Sequence, residues 1–224
     1  MVKSTELRLL FLGLTAALAF DSICFGSRNG NLEYWQTTGI SHDIDKDWTV
    51  HGEEEFRAGR HNGNPYLHNV NVGFVYKGLA ESVDIGLDFK KEYEKDSTGK
   101  FRQENRPHLN LIFSSTLLDI DASNRLRLEY RNREKKEDLF RLRNCTTLKF
   151  PVKVTKLHLQ PFVSEEFFIN LGEDNVSQNR LSLGFSGAPA RNLKASIYYM
   201  WRTNKITGGW ENTNVIGVGL GFRF

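Results

Sequence analysis

The final ten residues, 215–224, alternate bulky apolar side chains with glycine or arginine and end on an aromatic residue. Successive side chains of a β-strand point to opposite faces, so this alternation places an apolar row on one face of a strand. Such a row is typical of the last strand of a bacterial outer-membrane β-barrel. We therefore predict that the lipid-facing row and assembly signal of such a barrel are Ile216, Val218, Leu220, Phe222 and Phe224.

The start of the chain predicts export. A basic start precedes an apolar run, residues 9–19, and small residues suited to signal-peptidase cleavage occur at Ala19 and at Gly26. We expect residues 1–26 to be a cleaved signal peptide and residues 27–224 to form one barrel domain. The apolar run is too short for a spanning helix, which needs about 20 residues, so a membrane location requires strands.

The charge, cysteine content and hydropathy of the chain constrain what kind of protein it is. The chain carries 30 basic and 27 acidic residues, and this net charge of +3 is too balanced for a protein that binds nucleic acid. Cleavage after Gly26 leaves Cys145 as the one cysteine of the mature chain, so we expect no intramolecular disulfide. The mean hydropathy of −0.45 is compatible with a membrane barrel, because only alternate residues of each strand meet lipid.

Alternation with a period of two continues through the rest of the chain, and no segment has a convincing helical stripe. Counting from Trp48, we predict an all-β fold, an antiparallel transmembrane β-barrel of about ten strands. Residues 32–41 also alternate, weakly, around Tyr34 and Trp35. Bacterial barrels usually have an even number of strands and both termini in the periplasm. We therefore interpret this segment as an addition at the rim, or as a sign of about 12 strands.

Polar residues interrupt the apolar rows of two neighbouring segments. Asn144 and Thr146 fall on the apolar side of one segment, and Pro161 and Glu165 fall on that of the next. A β-bulge near Glu165 would restore the alternation there.

The inward positions of the predicted strands carry charges of both signs. About eight strands leave an interior that side chains just fill, and open pores need about sixteen, so the predicted barrel is narrow. An unpaired buried charge costs on the order of several kcal/mol, so we expect the inward arginines to find carboxylates and to brace the wall. The predicted network consists of Glu53, Glu55, Arg57, Asp84, Asp88, Arg125, Arg127, Glu129, Arg131, Arg141, Arg143, Glu166 and Arg180.

These residues resemble a family of bacterial outer-membrane proteins, domain of unknown function 2490. The resemblance rests on Trp35, Glu53-Glu54-Glu55-Phe56-Arg57, Leu126-Arg127-Leu128-Glu129 with Arg131, Arg141-Leu142-Arg143, Glu165-Glu166-Phe167-Phe168 with Asn170, and Gln178-Asn179-Arg180 before Leu181. It extends over nearly the whole mature chain. It implies an outer-membrane barrel, with no activity, ligand or catalytic residue to carry over.

A structural or interaction role is therefore the main functional prediction, and two alternatives remain open. The first is a narrow anion-selective channel or a small-ligand site, because arginines that line an interior suit anions. The second is a lipid A or phospholipid esterase or acyltransferase that uses serine and histidine.

The enzyme alternative lacks a visible catalytic pair. His108 shares a strand face with Ser114, and His158 shares one with Ser164. Six residues of extended chain separate each pair by about 20 Å, so a catalytic dyad would have to form between strands. No catalytic residue is assigned. The six histidines also have no close pair at ligand spacing, so we expect no metal site and no cofactor.

The expected partners are outer-membrane lipid, lipopolysaccharide and the barrel-assembly machinery. Basic residues near the presumed outer rim would neutralise lipopolysaccharide phosphates: Arg60, Arg133, Lys135, Lys136, Arg202 and Lys205. The main alternative for the fold is a soluble periplasmic β-sandwich, in which the apolar rows would pack on each other.

Overall fold

In the part of the chain that the structure describes, the alternating segments form eleven strands that close into one barrel. The structure is a computed structural model that describes residues 32–59, 64–155, 158–172 and 175–224. The predicted signal peptide, residues 1–26, lies outside the described residues. The strands are β1 (Leu32–Asp43), β2 (Trp48–Gly59), β3 (Asn64–Ala80), β4 (Val83–Lys95), β5 (Phe101–Leu117), β6 (Ile120–Arg133), β7 (Leu139–Lys149), β8 (Gln160–Asn170), β9 (Asn175–Ala190), β10 (Leu193–Ile206) and β11 (Gly209–Arg223).

The described part of the chain contains no helix that is long and apolar enough to cross a membrane.

The prediction of ten strands is wrong, because residues 32–41 belong to a full strand rather than to the rim. β1 pairs with β2 in an antiparallel ladder and with β11 in a parallel ladder, which runs from Leu32 opposite Asn214 to Ser41 opposite Arg223. An odd number of up-and-down strands makes the first and last strands parallel, and a parallel ladder still satisfies the backbone groups. Closure thereby removes the exposed edge that β11 would otherwise present.

β1 begins at one end of the barrel and β11 finishes at the other, contrary to the expectation that both termini lie on the same side. We call the end that carries Phe224 the C-terminal end; its described connections include residues 44–47, 81–82, 118–119 and 191–192. We call the other end, where β1 begins, the N-terminal end; its described connections include residues 96–100, 134–138 and 207–208.

Apolar side chains cover much of the outer face of the barrel. Leu87 is 63% exposed there, and further outward residues with large exposed apolar side chains are Phe56, Val72, Phe74, Leu128, Leu183, Phe185 and Ile197. Aromatic pairs lie near both rims, Trp48 with Tyr76 towards the C-terminal end and Tyr130 with Phe140 towards the N-terminal end. The single closed sheet excludes the β-sandwich alternative.

A hydrogen-bonded polar row interrupts this apolar surface on β6 to β9. Asn124 and Asn144 exchange amide hydrogen bonds of 3.1 and 3.0 Å, and Asn179 donates to Glu165 at 3.1 Å. The bulge predicted near Glu165 is wrong, since the irregularity of the β8–β9 ladder lies at Phe168/Ile169. Glu165 stays on the outer face because neighbouring strands supply it with a polar partner.

Candidate functional site

The inward face carries charged side chains from the middle of the barrel to its N-terminal end. Because side chains alternate along each strand, residues two apart on one strand project into the same interior. They enclose a cavity of about 560 Å³, lined on β6, β7 and β9 by arginines and on β2 and β4 by acidic residues together with His51, Arg57 and Lys90. The residues that line it include Glu53, Glu92, Arg125, Arg127, Arg143 and Arg180.

Five arginines on β6, β7 and β9 form the arginine cluster: Arg125, Arg127, Arg141, Arg143 and Arg180. Arg143 bridges the two carboxylates of the cluster, since its Nη1 donates to Glu129 at 2.7 Å and its Nη2 to Glu166 at 2.6 Å. Glu129 also accepts from Arg141 at 2.6 Å. The other ion pairs join Arg127 to Glu129 at 3.5 Å, Arg125 to Glu166 at 3.0 Å and Arg180 to Glu166 at 3.4 Å.

Strand register explains why these charges meet. Arg127 lies directly opposite Arg143 in the β6–β7 ladder, a like-charge pair that destabilises a sheet by itself. Glu129 lies opposite Arg141 in the same ladder, and Glu166 lies opposite Arg180 in the β8–β9 ladder. The carboxylates therefore separate guanidinium groups that the sheet forces together.

Two aromatic rings pack against the guanidinium groups, and their interior role was not predicted. The Phe168 ring centre lies 4.5 Å from the guanidinium carbons of Arg143 and of Arg180. The Trp35 ring centre lies 3.6 Å from that of Arg57 and 4.9 Å from that of Arg180. Such cation–π contacts hold guanidinium planes in place. Trp35 shares its alternation phase with Glu33, and that phase could have indicated its position.

Further ion pairs extend the network around the barrel. Arg106 donates to Glu92 at 2.7 Å and to Glu104 at 2.8 Å, and Glu104 also accepts from Arg131. Arg106, Glu92 and Glu104 were not predicted as site residues, although extending the alternation of β4 and β5 would have found them. On β2, Arg57 donates to Glu55 at 2.6 Å, and Lys90 lies 3.8 Å from the same carboxylate.

Arg202 belongs to the interior and not to the outer rim where we expected it. Its side chain donates to Glu33 at 2.9 Å, and the residue is only 7% exposed. Glu33 also accepts hydrogen bonds from the Trp35 indole at 2.9 Å and from the Tyr66 hydroxyl at 2.6 Å. The prediction that Arg202 meets lipopolysaccharide is therefore wrong, because the strand phase points it inward.

Asp88 is surrounded by amide and imidazole side chains. It accepts hydrogen bonds from Asn71 at 2.9 Å and from Asn110 at 2.6 Å, and the His51 ring lies 2.7 Å away. The predicted network members Glu53 and Asp84 are half-buried. Within the described residues neither of them makes an ion pair, although the Glu53 charge still acts on the buried Lys90.

Small side chains line the wall towards the C-terminal end. A cavity of about 390 Å³ there is lined by serine, glycine and alanine together with Lys149 and Lys194. A second cavity of about 520 Å³ is lined by Ser114, Ser123 and Thr147. The interior is therefore filled by long charged side chains towards one end and roomier towards the other.

A comparison with protein-family models identifies the family to which this chain belongs. The family model described as a protein of unknown function, DUF2490, matches residues 32–213. The chain belongs to the DUF2490 family. The predicted family resemblance is thereby confirmed, and the family description itself gives no activity and no location. A comparison with curated proteins gave no match.

The described residues of this DUF2490 barrel do not form the catalytic dyad that the enzyme alternative needs. The buried His108 ring lies 3.1 Å from the backbone oxygen of Arg106, and Ser164 contacts Cys145 and Thr147. His158 lies in the connection after β7. Neither histidine has a serine as a hydrogen-bond partner in this part of the chain. Among the same residues, no group of three or more His, Cys, Asp or Glu could hold a metal ion.

A separate group of hydrogen-bonded side chains, which we call the polar clamp, lies at the N-terminal rim of the DUF2490 barrel. It consists of Asp96, Thr98, Arg102 and Glu134. Asp96 accepts from the Thr98 hydroxyl at 2.6 Å and from Arg102 at 2.8 Å, and Arg102 also donates to Glu134 at 3.1 Å. These hydrogen bonds hold the pKa of Asp96 well below its usual value of 3.8, the Thr98 hydroxyl having the largest effect. The clamp therefore stays charged in mildly acidic solution.

Proposed function

We propose that this DUF2490 protein is an outer-membrane β-barrel, exported by residues 1–26, whose interior is closed to diffusion and which acts by binding rather than as a pore. The distribution of side chains supports the membrane location. Large apolar residues are exposed on the outer face while charged residues are buried inside, the reverse of a water-soluble domain.

The ion-paired layer is the observation that carries the closed interior. Glu129 is completely buried and its carboxylate is bound to Arg141 and Arg143. Arg143 continues to Glu166, Phe168 packs against the Arg143 guanidinium, and Trp35 packs against that of Arg180. A charged pair held in this way is costly to open, because each freed charge would lose its partner.

Single-channel recording tests the proposal. The mature chain would be refolded into planar bilayers after heat-modifiable migration on a gel has shown that it is folded. We expect no current steps in potassium chloride, with a general diffusion porin in the same bilayer as the positive control. Steady anion-selective steps from the folded protein would overturn the closed interior and favour the channel alternative.

A further inference from the structure

The charges of the arginine cluster do not balance. Five guanidinium groups share two carboxylates, Glu129 and Glu166, among the described residues. Arg106 and Arg131, in contrast, pair with two carboxylates of their own. Excess positive charge in a site away from water is costly unless an anion accompanies it.

Unused hydrogen-bond donors provide a second, independent observation. The Nε atoms of Arg125 and Arg180 are buried and have no hydrogen-bond partner in the described structure. Buried polar groups nearly always have a partner, and a donor that has none in the protein is commonly satisfied by a bound ion or water. Both side chains line the 560 Å³ cavity. The cavity is of the size that small-molecule sites commonly have.

From these observations we propose that the arginine cluster binds a small multivalent oxyanion, one that carries phosphate or carboxylate groups. Arg125, Arg127, Arg143 and Arg180 line the cavity and would supply the donors. Planar guanidinium groups match the paired oxygens of both anion classes. Five arginines that share two carboxylates leave the cluster itself positive, and this favours an anion with more than one charge. The inference rests on the proposed function, since it deepens the binding role of a closed interior.

The neighbouring wall leaves room on one side of the cluster. Ser123, Ser164 and Ser182 lie two residues from Arg125, Glu166 and Arg180, towards the C-terminal end of the barrel. Glu53 lines the opposite wall of the same cavity and makes no ion pair within the described residues. The negative charge of this carboxylate opposes anion binding at long range. Removing it should therefore raise the affinity for an anion, whereas removing an arginine should lower it.

Isothermal titration of the refolded mature chain with pyrophosphate and, separately, with citrate tests this site. We expect saturable binding of at least one probe at about one site per chain, weakened about tenfold in Arg125→Gln because a charged donor is lost. Arg102→Gln, which removes the same charge at the rim, should leave the affinity unchanged. Glu53→Gln should tighten binding. Every variant is first checked for heat-modifiable migration.

The outcomes separate the possible ligands and the two proposals. Binding of pyrophosphate alone would indicate phosphate ligands, and binding of citrate alone would indicate carboxylates. The anion site would be overturned if folded wild-type protein gave only heats of dilution with both probes. It would also be overturned if Arg125→Gln and Arg102→Gln weakened binding equally. A silent bilayer together with absent binding would reject the site while leaving the closed interior intact.

Discussion

Glu129 shows how strongly the interior depends on single side chains. Its carboxylate receives hydrogen bonds from Arg141 and Arg143 and is 0% exposed. We expect Glu129→Gln to lower the free energy of unfolding by about 3 kcal/mol, because it leaves buried guanidinium groups without their carboxylate. Urea titration of the refolded protein measures this change. Glu134→Gln at the exposed rim should change it little, and similar losses in both variants would contradict the prediction.

Gly217 is needed for the packing of one inward aromatic side chain. The Tyr198 ring lies over this glycine, and a Cβ at Gly217 would overlap the ring. We expect Gly217→Ala to cost about 2 kcal/mol in urea titration, because the stiff ring must leave its position. Gly221→Ala is the matched control on the same strand, since the nearest atom to its Cβ would be Lys194 Cβ at 3.8 Å. Equal stability of the two variants would refute the packing role.

At the scale of elements, β11 carries a prediction that separates assembly from stability. The Phe224 side chain is 63% exposed, and its backbone N–H donates to Ser41 at 3.0 Å. We expect Phe224→Ser to reduce the amount of heat-modifiable barrel in the outer membrane several-fold, because we propose that the terminal aromatic is part of an assembly signal. Export should be unaffected, and the urea midpoint of refolded protein should change little because the side chain has few contacts to lose.

Trp210→Ser is the control for this prediction, since it removes an exposed aromatic from the other end of β11. Wild-type amounts of assembled Phe224→Ser, or an equal defect in Trp210→Ser, would contradict a specific signal at the terminus.

At the scale of the whole molecule, the barrel has a charged interior and a largely apolar outer face, and its ion-paired arginine cluster lies away from the C-terminal end. This arrangement makes conductance and anion binding independent questions. We propose that long side chains joined by ion pairs obstruct a path through the barrel, and that the charge imbalance of the arginine cluster creates an anion site within it. The bilayer recording and the titration therefore report on different properties of the same interior.

The sequence alone determined the fold class and the direction of most strand side chains. Alternation of residue types is a local property, so the outward Leu87 and the inward Arg127 and Glu129 follow from their own strands. The pairing of Leu32 with Asn214, the meeting of Arg202 with Glu33, and the sharing of Glu166 by several arginines were decided by tertiary structure. Strand number, register and closure join residues far apart in the chain, and no local pattern encodes those distances.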